Sequence, residues 1–214
     1  MVWLQRHPGQ RHPGGGTYGE DSNQTTITNG TNASNDNSNT ASGAVYVYKR
    51  SGTSWAQEAY IKAANSDAGD TFGVTVSIDN NTLAVGASFE DSNQTTITNG
   101  TNASGDNSNL YSGAVYVYKR TDSTWTQEAY IKADNTDYDD NFGEGSISLS
   151  GDTLAVSGHK EDSNQTTITN GTTASSDNSH SGIGAVYVYK RTGTTWAQEA
   201  YIKPANNTSV NQGT

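Results

Sequence analysis

The sequence predicts an all-β fold assembled from repeated antiparallel sheets. Three motifs recur in the same order at offsets of 70 and then 71 residues, which is the signature of a repeat protein. Between them lie short stretches that alternate apolar and polar residues or are continuously apolar, bounded by Asn, Asp, Gly and Ser. Only 31% of the residues are hydrophobic, so the composition argues against an ordinary helical globule.

The repeat is defined by a loop motif, a strand motif and a tryptophan. Glu-Asp-Ser-Asn-Gln-Thr-Thr-Ile-Thr-Asn-Gly-Thr occupies 20–31, 90–101 and 161–172. Gly-Ala-Val-Tyr-Val-Tyr-Lys-Arg occupies 43–50, 113–120 and 184–191, and the tryptophan follows at 55, 125 and 196. We therefore predict a half unit made of the two outer strands, two complete units and a polar C-terminal tail, at 19–64, 65–134, 135–204 and 205–214. Residues 1–18 do not match the repeat and are predicted to be disordered.

Each complete unit is predicted to contain four strands. In the second unit the first strand, 72–78, alternates apolar and small polar residues, and the second, 83–87, is short and apolar. The third, 114–118, is apolar on both faces and must be covered twice. The fourth, 125–132, is half polar, so we expect it at an outer edge with its Lys and Glu guarding that edge.

Four short antiparallel strands that grade from small to aromatic and charged residues are typical of a β-propeller blade. A closed propeller needs about 4–8 blades, whereas this chain supplies about two and a half. We expect a fragment of a longer protein; the alternative is that several chains close the ring together. In either case the apolar faces of Val45/Val47 and Tyr46/Tyr48 should be exposed, and the isolated piece should associate.

Three of the recurring segments resemble those of a known family. Phe-Gly at 72–73, Leu-Ala-Val-Gly-Ala at 83–87 and Gly-Ala-Val-Tyr-Val-Tyr at 113–118 are similar to FG-GAP repeats, the blades of the integrin α-type propeller, and most similar to its bacterial branch. The resemblance covers roughly residues 19–204. It implies a propeller with binding loops at one end. The family's Asp-x-Asp-x-Asp-Gly calcium loop does not carry over, because the corresponding turns are short.

The long loop between the second and third strands is the main candidate site. Its two ends carry carboxylate and amide oxygens, the ligands that Ca²⁺ prefers, and the same set recurs in all three units. The alternative is that Asn and Asp only form Asx-turns and hydrate a surface loop. The predicted metal ligands are Glu20, Asp21, Asn23, Asp36, Glu90, Asp91, Asn93, Asp106, Glu161, Asp162, Asn164 and Asp177. Asn37, Asn107 and Asn178 complete the recurring set.

Other chemistry has less support in the sequence. The segment 137–141 has oxygen ligands at alternate positions but lacks the Gly and Glu of an EF-hand. The four histidines lack partners at metal-ligand spacing and are expected at the surface. There is no cysteine, no nucleophile elbow and no phosphate-cradling loop. With a net charge of −10, a nucleic-acid partner is not expected, and the Lys-Arg pairs are predicted to neutralise carboxylates.

These observations predict a non-catalytic binding or adhesion module at the cell surface or outside the cell. Its partners would be a protein or glycan ligand at the loop face and further blades from the rest of the protein or from other chains, with calcium as the expected cofactor. No apolar stretch long enough for a transmembrane helix or a signal peptide is present. Two alternatives stay open: a propeller platform of a larger secreted glycan-active enzyme, and a structural repeat array of a cell envelope.

Overall fold

The computed structural model of the protein describes residues 2–4 and 16–206. Within these residues the chain folds into strands and contains no helix, which confirms the all-β prediction. No helix in this part of the chain could span a membrane. The strands are β1 Val2–Leu4, β2 Thr28–Asn29, β3 Val45–Ser51, β4 Ser54–Ile61, β5 Val76–Asp79, β6 Thr82–Ala87, β7 Ile97–Asn99, β8 Ala114–Thr121, β9 Thr124–Ile131, β10 Ile147–Ser150, β11 Thr153–Gly158, β12 Ile168–Asn170, β13 Ala185–Thr192 and β14 Thr195–Ile202.

The strands form three antiparallel sheets, which are the blades of a β-propeller. Blade 1 has the order β1-β3-β4-β2, blade 2 has β5-β6-β8-β9-β7 and blade 3 has β10-β11-β13-β14-β12. Blades 2 and 3 lie within the predicted units 65–134 and 135–204. In both, sequential strands form hairpins, and the long loop leaves the second strand and returns to the third.

The outer edge of each blade differs from the prediction of four strands. The long loop supplies a short fifth strand, β7, which pairs with β9 from Ile97 opposite Ile131 to Asn99 opposite Ala129. The fourth strand is therefore not the edge strand. Glu128 and Lys132 do not guard an edge: both are buried, and they form ion pairs with Arg191 of blade 3 and Glu90 of the long loop, respectively.

The first strand of each blade is also shorter than predicted, because Phe72 belongs to a corner that joins two blades. Its ring packs edge-on against Tyr116 and Tyr118, with ring centroids 5.3 and 6.2 Å apart. Gly43 of blade 1 runs alongside this corner with a φ of 83°, and a Cβ there would stand 2.0 Å from the Phe72 carbonyl oxygen. The recurring glycines thus permit close contact between successive blades.

The third strand is covered on both faces, as predicted. Val115 and Val117 of β8 pack with the tyrosines of blade 3, whereas Tyr116 and Tyr118 pack with Val47 and the rest of the core shared with blade 1. The core therefore lies between the blades, and each pair of neighbours shares one apolar layer.

Blade 1 is more complete than the predicted half blade. Strand β1 pairs with β3 from Val2 opposite Lys49 to Leu4 opposite Val47, the place that β6 takes beside β8 in blade 2. Residues 2–4, within the segment 1–18 that was predicted to be disordered, form this strand.

Two further predictions concern the exposure of blade 1 and the ends of the chain. Val45 and Val47 are fully buried rather than exposed, because they pack into the layer shared with blade 2. Thr17 is bonded to Ala44, which places this part of 1–18 in contact with blade 1. The rest of the predicted disordered segment, 5–15, and most of the predicted tail, 207–214, lie outside the described residues.

Candidate functional site

The first acidic residue of each long loop points into the protein and forms a buried ion pair. In blade 2, the carboxylate of Glu90 accepts hydrogen bonds from Lys132 Nζ at 2.9 Å and from the Tyr130 hydroxyl at 2.8 Å. Asn65 Nδ2 and the Ser92 amide also donate to it, at 3.1 and 3.2 Å. Four donors satisfy this carboxylate fully, so it has little capacity left for a metal ion.

The same arrangement recurs in the other two blades. Lys62 donates to Glu20 at 2.8 Å in blade 1, and Lys203 donates to Glu161 at 2.6 Å in blade 3. In blades 1 and 2 the lysine also donates to a serine hydroxyl, but Ile183 takes that place in blade 3. Burial lowers the pKa of Lys132, and the charge of Glu90 opposes this effect.

The second acidic residue of each loop holds a strained turn. Asp91 Oδ1 accepts a hydrogen bond from the Tyr111 amide at 2.7 Å, and Tyr111 has a φ of 60°. Ala41 and Gly182, at the same place in blades 1 and 3, also have positive φ and donate their amides to Asp21 and Asp162. These carboxylates therefore stabilise a left-handed backbone conformation that favours glycine.

The third acidic position joins the two ends of the loop. Asp106 Oδ2 accepts a hydrogen bond from the Asn93 amide at 2.9 Å, and Asp177 accepts one from the Asn164 amide at 3.0 Å. The Asn93 hydrogen bond holds the pKa of Asp106 below its ordinary value. In blade 1 the Ser38 hydroxyl has the corresponding effect on the pKa of Asp36.

The predicted calcium ligands therefore lie close in the chain but serve separate contacts. The glutamates pair with lysine, the first aspartates bind the left-handed turn and the second aspartates bind the start of the loop. In the described part of the chain, no group of three or more His, Asp and Glu side chains is arranged to hold a metal ion. Calcium binding stays a prediction.

The weaker candidate at 137–141 is tied up in a similar way. Asp139 accepts a hydrogen bond from Lys160 Nζ at 2.8 Å and another from Asn141. Asp140 turns inward and binds the Asp137 amide at 3.0 Å, and burial raises its pKa to about 7. Asp70 occupies the same place before blade 2, where burial raises its pKa to about 8.

A different site, which the repeat pattern did not indicate, lies between the inner parts of blades 2 and 3. It is a cleft of about 620 Å³ that offers aromatic, hydroxyl, carboxylate and imidazole groups together. We call it the inter-blade cleft; the side chains that characterise it are those of Tyr18, Thr71, Ser88, Phe89, Glu144 and His159. Glu144 Oε2 lies 3.6 Å from His159 Nε2 at the rim.

The repeats diverge at this cleft. Ser88-Phe89 in blade 2 corresponds to His159-Lys160 in blade 3. Val74-Thr75 corresponds to the longer Glu144-Gly145-Ser146, so the one-residue insertion of the last unit falls at the cleft. The loop motif elsewhere in the units is identical over twelve residues. The residues that line the cleft thus differ from unit to unit, whereas the loop motif does not.

A row of three aromatic side chains extends the cleft toward the end of the long loop of blade 2. The ring of Phe89 contacts that of Tyr111 at 5.0 Å between centroids, and Tyr111 lies 6.4 Å from Tyr138. Tyr138 is 62% exposed and Tyr111 is 40% exposed. Blades 1 and 3 carry Ala41 and Gly182 in place of Tyr111, so this unit keeps a tyrosine where the backbone favours glycine.

Sequence reasoning missed the partners of the acidic residues. Lys62, Lys132 and Lys203 recur at offsets of 70 and 71 residues, as do the tyrosines two residues before them. The same spacing places Asn65 and Asn135 three residues after a lysine. These lysines, tyrosines and asparagines share the repeat period of the acidic residues, and this common period was the signal in the sequence that they are partners. The inter-blade cleft left no such signal, because Tyr18, Ser88 and His159 occupy the same place in their units but are different residues.

The comparisons with known proteins agree with this fold. Residues 55–118 match the family model described as FG-GAP repeat. The match runs from β4 of blade 1 to β8 of blade 2, and it confirms the resemblance that the strand motifs suggested. No curated protein matches the chain.

Proposed function

We propose that this propeller of FG-GAP type is a non-catalytic binding module and that the inter-blade cleft is its ligand site. The observation that supports the proposal is the divergence of the repeats at the cleft. A purely structural array has no reason to change Ser88-Phe89 to His159-Lys160, or to place its one insertion there, while its loop motif stays identical. A scaffold that repeats within the chain, with a lining that differs between its units, is the pattern of a recognition surface.

The chemistry of the cleft favours a neutral carbohydrate. The rings of Tyr18 and Phe89 supply flat apolar surface for the C–H faces of a sugar. Thr71, Ser88 and Glu144 supply hydroxyl and carboxylate groups that can bond sugar hydroxyls. A net charge of −10 disfavours acidic polysaccharides. A cleft of about 620 Å³ falls within the range of small-ligand sites.

We further propose that the module acts at the cell surface or outside the cell, in adhesion. The support is the FG-GAP match together with a binding site open to solvent near the loop face. Catalysis is not part of the proposal, because the cleft offers one Glu144–His159 pair at its exposed rim and lacks a second carboxylate among its lining residues.

The experiment is a titration of the full chain with neutral oligosaccharides, namely manno-, galacto- and cello-oligosaccharides, followed by isothermal calorimetry and by NMR of the aromatic protons. We expect at least one series to bind, with shifts of the Phe89 and Tyr18 ring signals. Phe89→Ala should weaken that binding by about tenfold or more, since an aromatic contact at a site centre contributes on the order of 1.5 kcal/mol.

The matched control is Ile168→Ser, a substitution of an exposed apolar residue on β12, away from the cleft. It should leave binding unchanged. If no oligosaccharide binds, or if Phe89→Ala and Ile168→Ser bind equally well, the cleft is not a carbohydrate site.

Calcium is a separate question, which the same protein can answer. The loop contacts described above form between protein groups alone, so a calcium ion would have to use oxygens other than those of Glu20, Glu90 and Glu161. Calorimetric titration with Ca²⁺, combined with melting temperatures, tests the prediction. A lack of heat and an unchanged melting temperature would rule calcium out as a stabiliser.

A further inference from the structure

Neighbouring blades are joined by a contact that occurs twice within the chain. Between blades 2 and 3, Asn99 exchanges two hydrogen bonds with the backbone of Trp196: Trp196 N donates to Asn99 Oδ1 at 2.7 Å, and Asn99 Nδ2 donates to the Trp196 carbonyl at 3.2 Å. Glu128 Oε2 accepts a hydrogen bond from the Trp196 indole nitrogen and one from Arg191, each at 3.0 Å.

The same set joins blades 1 and 2. Asn29 exchanges two hydrogen bonds with Trp125, at 2.7 and 3.3 Å. Glu58 accepts the Trp125 indole N–H at 3.2 Å and pairs with Arg120 Nη2 at 3.0 Å. Each contact thus has one side formed by Asn and Glu, which we call the acceptor side after its carboxylate, and one side formed by Trp and Arg, which we call the donor side after the indole and guanidinium N–H groups. We call the full set the blade joint.

Blade 3 presents the acceptor side of another blade joint to solvent. Asn170 and Glu199 occupy the places of Asn99 and Glu128, and both are exposed. Val186 is 39% exposed, whereas its counterpart Val115 in blade 2 is fully buried. This face is therefore an apolar layer rimmed by the same acceptors that bind a following blade elsewhere in the chain.

Blade 1 presents the donor side. Trp55 is 44% exposed, whereas Trp125 and Trp196 are each 1% exposed. Arg50 is exposed and lies over the Trp55 ring at 6.0 Å, as Arg191 lies over Trp196 at 5.3 Å. Tyr46 and Tyr48 are half-buried, although their counterparts in blades 2 and 3 are fully buried.

We propose that two copies of this chain associate head to tail, with blade 3 of each copy forming a blade joint with blade 1 of the other. The charges and hydrogen-bonding groups match, because Glu199 would meet Arg50 and Trp55 of the second copy as Glu128 meets Arg191 and Trp196. The described residues of this chain form three blades, so two copies bring together six, and six is the one multiple of three within the usual range of about 4–8 blades. Two identical head-to-tail contacts then close the ring around a two-fold axis.

The test is the mass of the full chain in solution, measured by light scattering and by sedimentation velocity between about 1 and 100 µM. We expect a species of about twice the 22.6 kDa chain mass at the upper end of this range. On association, Trp55 should become protected from acrylamide quenching.

Charge reversal at the joint identifies the surfaces involved. Glu199→Arg places two arginines together, and Arg50→Glu places two carboxylates together, so each variant should be monomeric. The double variant Arg50→Glu/Glu199→Arg restores the opposite charges and should recover the dimer. Asp122→Arg is the control, because it makes the same change of charge in the β8–β9 hairpin.

Two results would overturn the proposal. A wild-type monomer at every concentration would show that the two faces do not bind each other between copies of this chain. A dimer that Glu199→Arg leaves intact, or that Asp122→Arg disrupts equally, would show that association uses another surface.

Discussion

Removal of the buried lysine of blade 2 should destabilise the protein more than any surface substitution. In Lys132→Met, the aliphatic part of the side chain is kept, but the carboxylate of Glu90 loses its counter-ion where both side chains are at most 1% exposed. Removal of one partner from a buried ion pair costs about 3–5 kcal/mol. Because Tyr130, Asn65 and Ser92 still donate to Glu90, we expect a value near the lower limit.

Urea unfolding followed by tryptophan fluorescence measures this effect. A loss of about 3 kcal/mol with an m value of about 2 kcal/mol/M lowers the midpoint by about 1.5 M. Lys190→Met is the control, because Lys190 is exposed, and it should change the midpoint little. The double variant Glu90→Gln/Lys132→Met removes both charges and should be more stable than Lys132→Met alone.

The three blades supply a graded internal comparison. Glu20 is 14% exposed in its ion pair with Lys62, so solvent can partly replace the lysine. Lys62→Met should therefore cost less than Lys132→Met. If Lys132→Met lies within 1 kcal/mol of the wild type, or if the double variant is the least stable, the buried pair does not contribute as argued.

Two more predictions concern buried groups at the blade corners. Asp70 has a folded-state pKa of about 8, above its ordinary value of 3.8. Between about pH 4 and pH 8 the folded protein therefore binds one proton more than the unfolded chain. The free energy of unfolding falls as pH rises through that window. Asp70→Asn should flatten this fall in urea titrations at pH 5 and pH 8, whereas the exposed Asp122→Asn should not; equal slopes in all three proteins would refute the assignment. Gly113→Ala places a Cβ 2.4 Å from the Phe142 carbonyl oxygen at a φ of 79° and should lower the melting temperature more than Gly52→Ala, which has a positive φ but open space around it. Equal losses of melting temperature would show that the contact between blades tolerates a Cβ at position 113. Both losses would then come only from the left-handed backbone conformation, which costs a residue other than Gly about 1–2 kcal/mol.

The parts of the fold that follow from local pattern were predictable from the sequence. The third strand, with Val115 and Val117 on one face and Tyr116 and Tyr118 on the other, must be covered twice, and the structure covers it with two neighbouring blades. The second strand is short and apolar, and it is buried along its length as β6. Periodicity reports burial directly, so these elements needed no tertiary information.

The elements that depend on tertiary partners were not predictable in the same way. Ile97 to Asn99 show no strand pattern of their own, and they become β7 because the edge of β9 is available to them. In the sequence, nothing distinguishes Lys132 from an ordinary strand-end lysine; its partner Glu90 lies 42 residues earlier in the chain and comes beside it only in the fold. Phe72 alternates with its neighbours as a strand residue would, but its ring is needed at the corner.

The candidate site shows the same division. The acidic loops were predicted to be a site because they repeat, but their repetition reflects structural contacts that each blade must make. The inter-blade cleft was not predicted, because Phe89 and His159 have different residues at the equivalent positions of the other units. In a repeat protein, similarity between units identifies the scaffold, and differences between units identify the site.

The asparagines between successive blades, Asn65 and Asn135, affect how the number of blades in such a protein can change. Asn65 lies before blade 2 but completes the ion pair of blade 2 through Glu90, and Asn135 does the same for blade 3 through Glu161. Each junction therefore carries its own copy of the same contacts. A gene duplication or deletion of one whole unit of about 70 residues would recreate every such contact at the new junction, so blade number can vary between descendants without any compensating substitution.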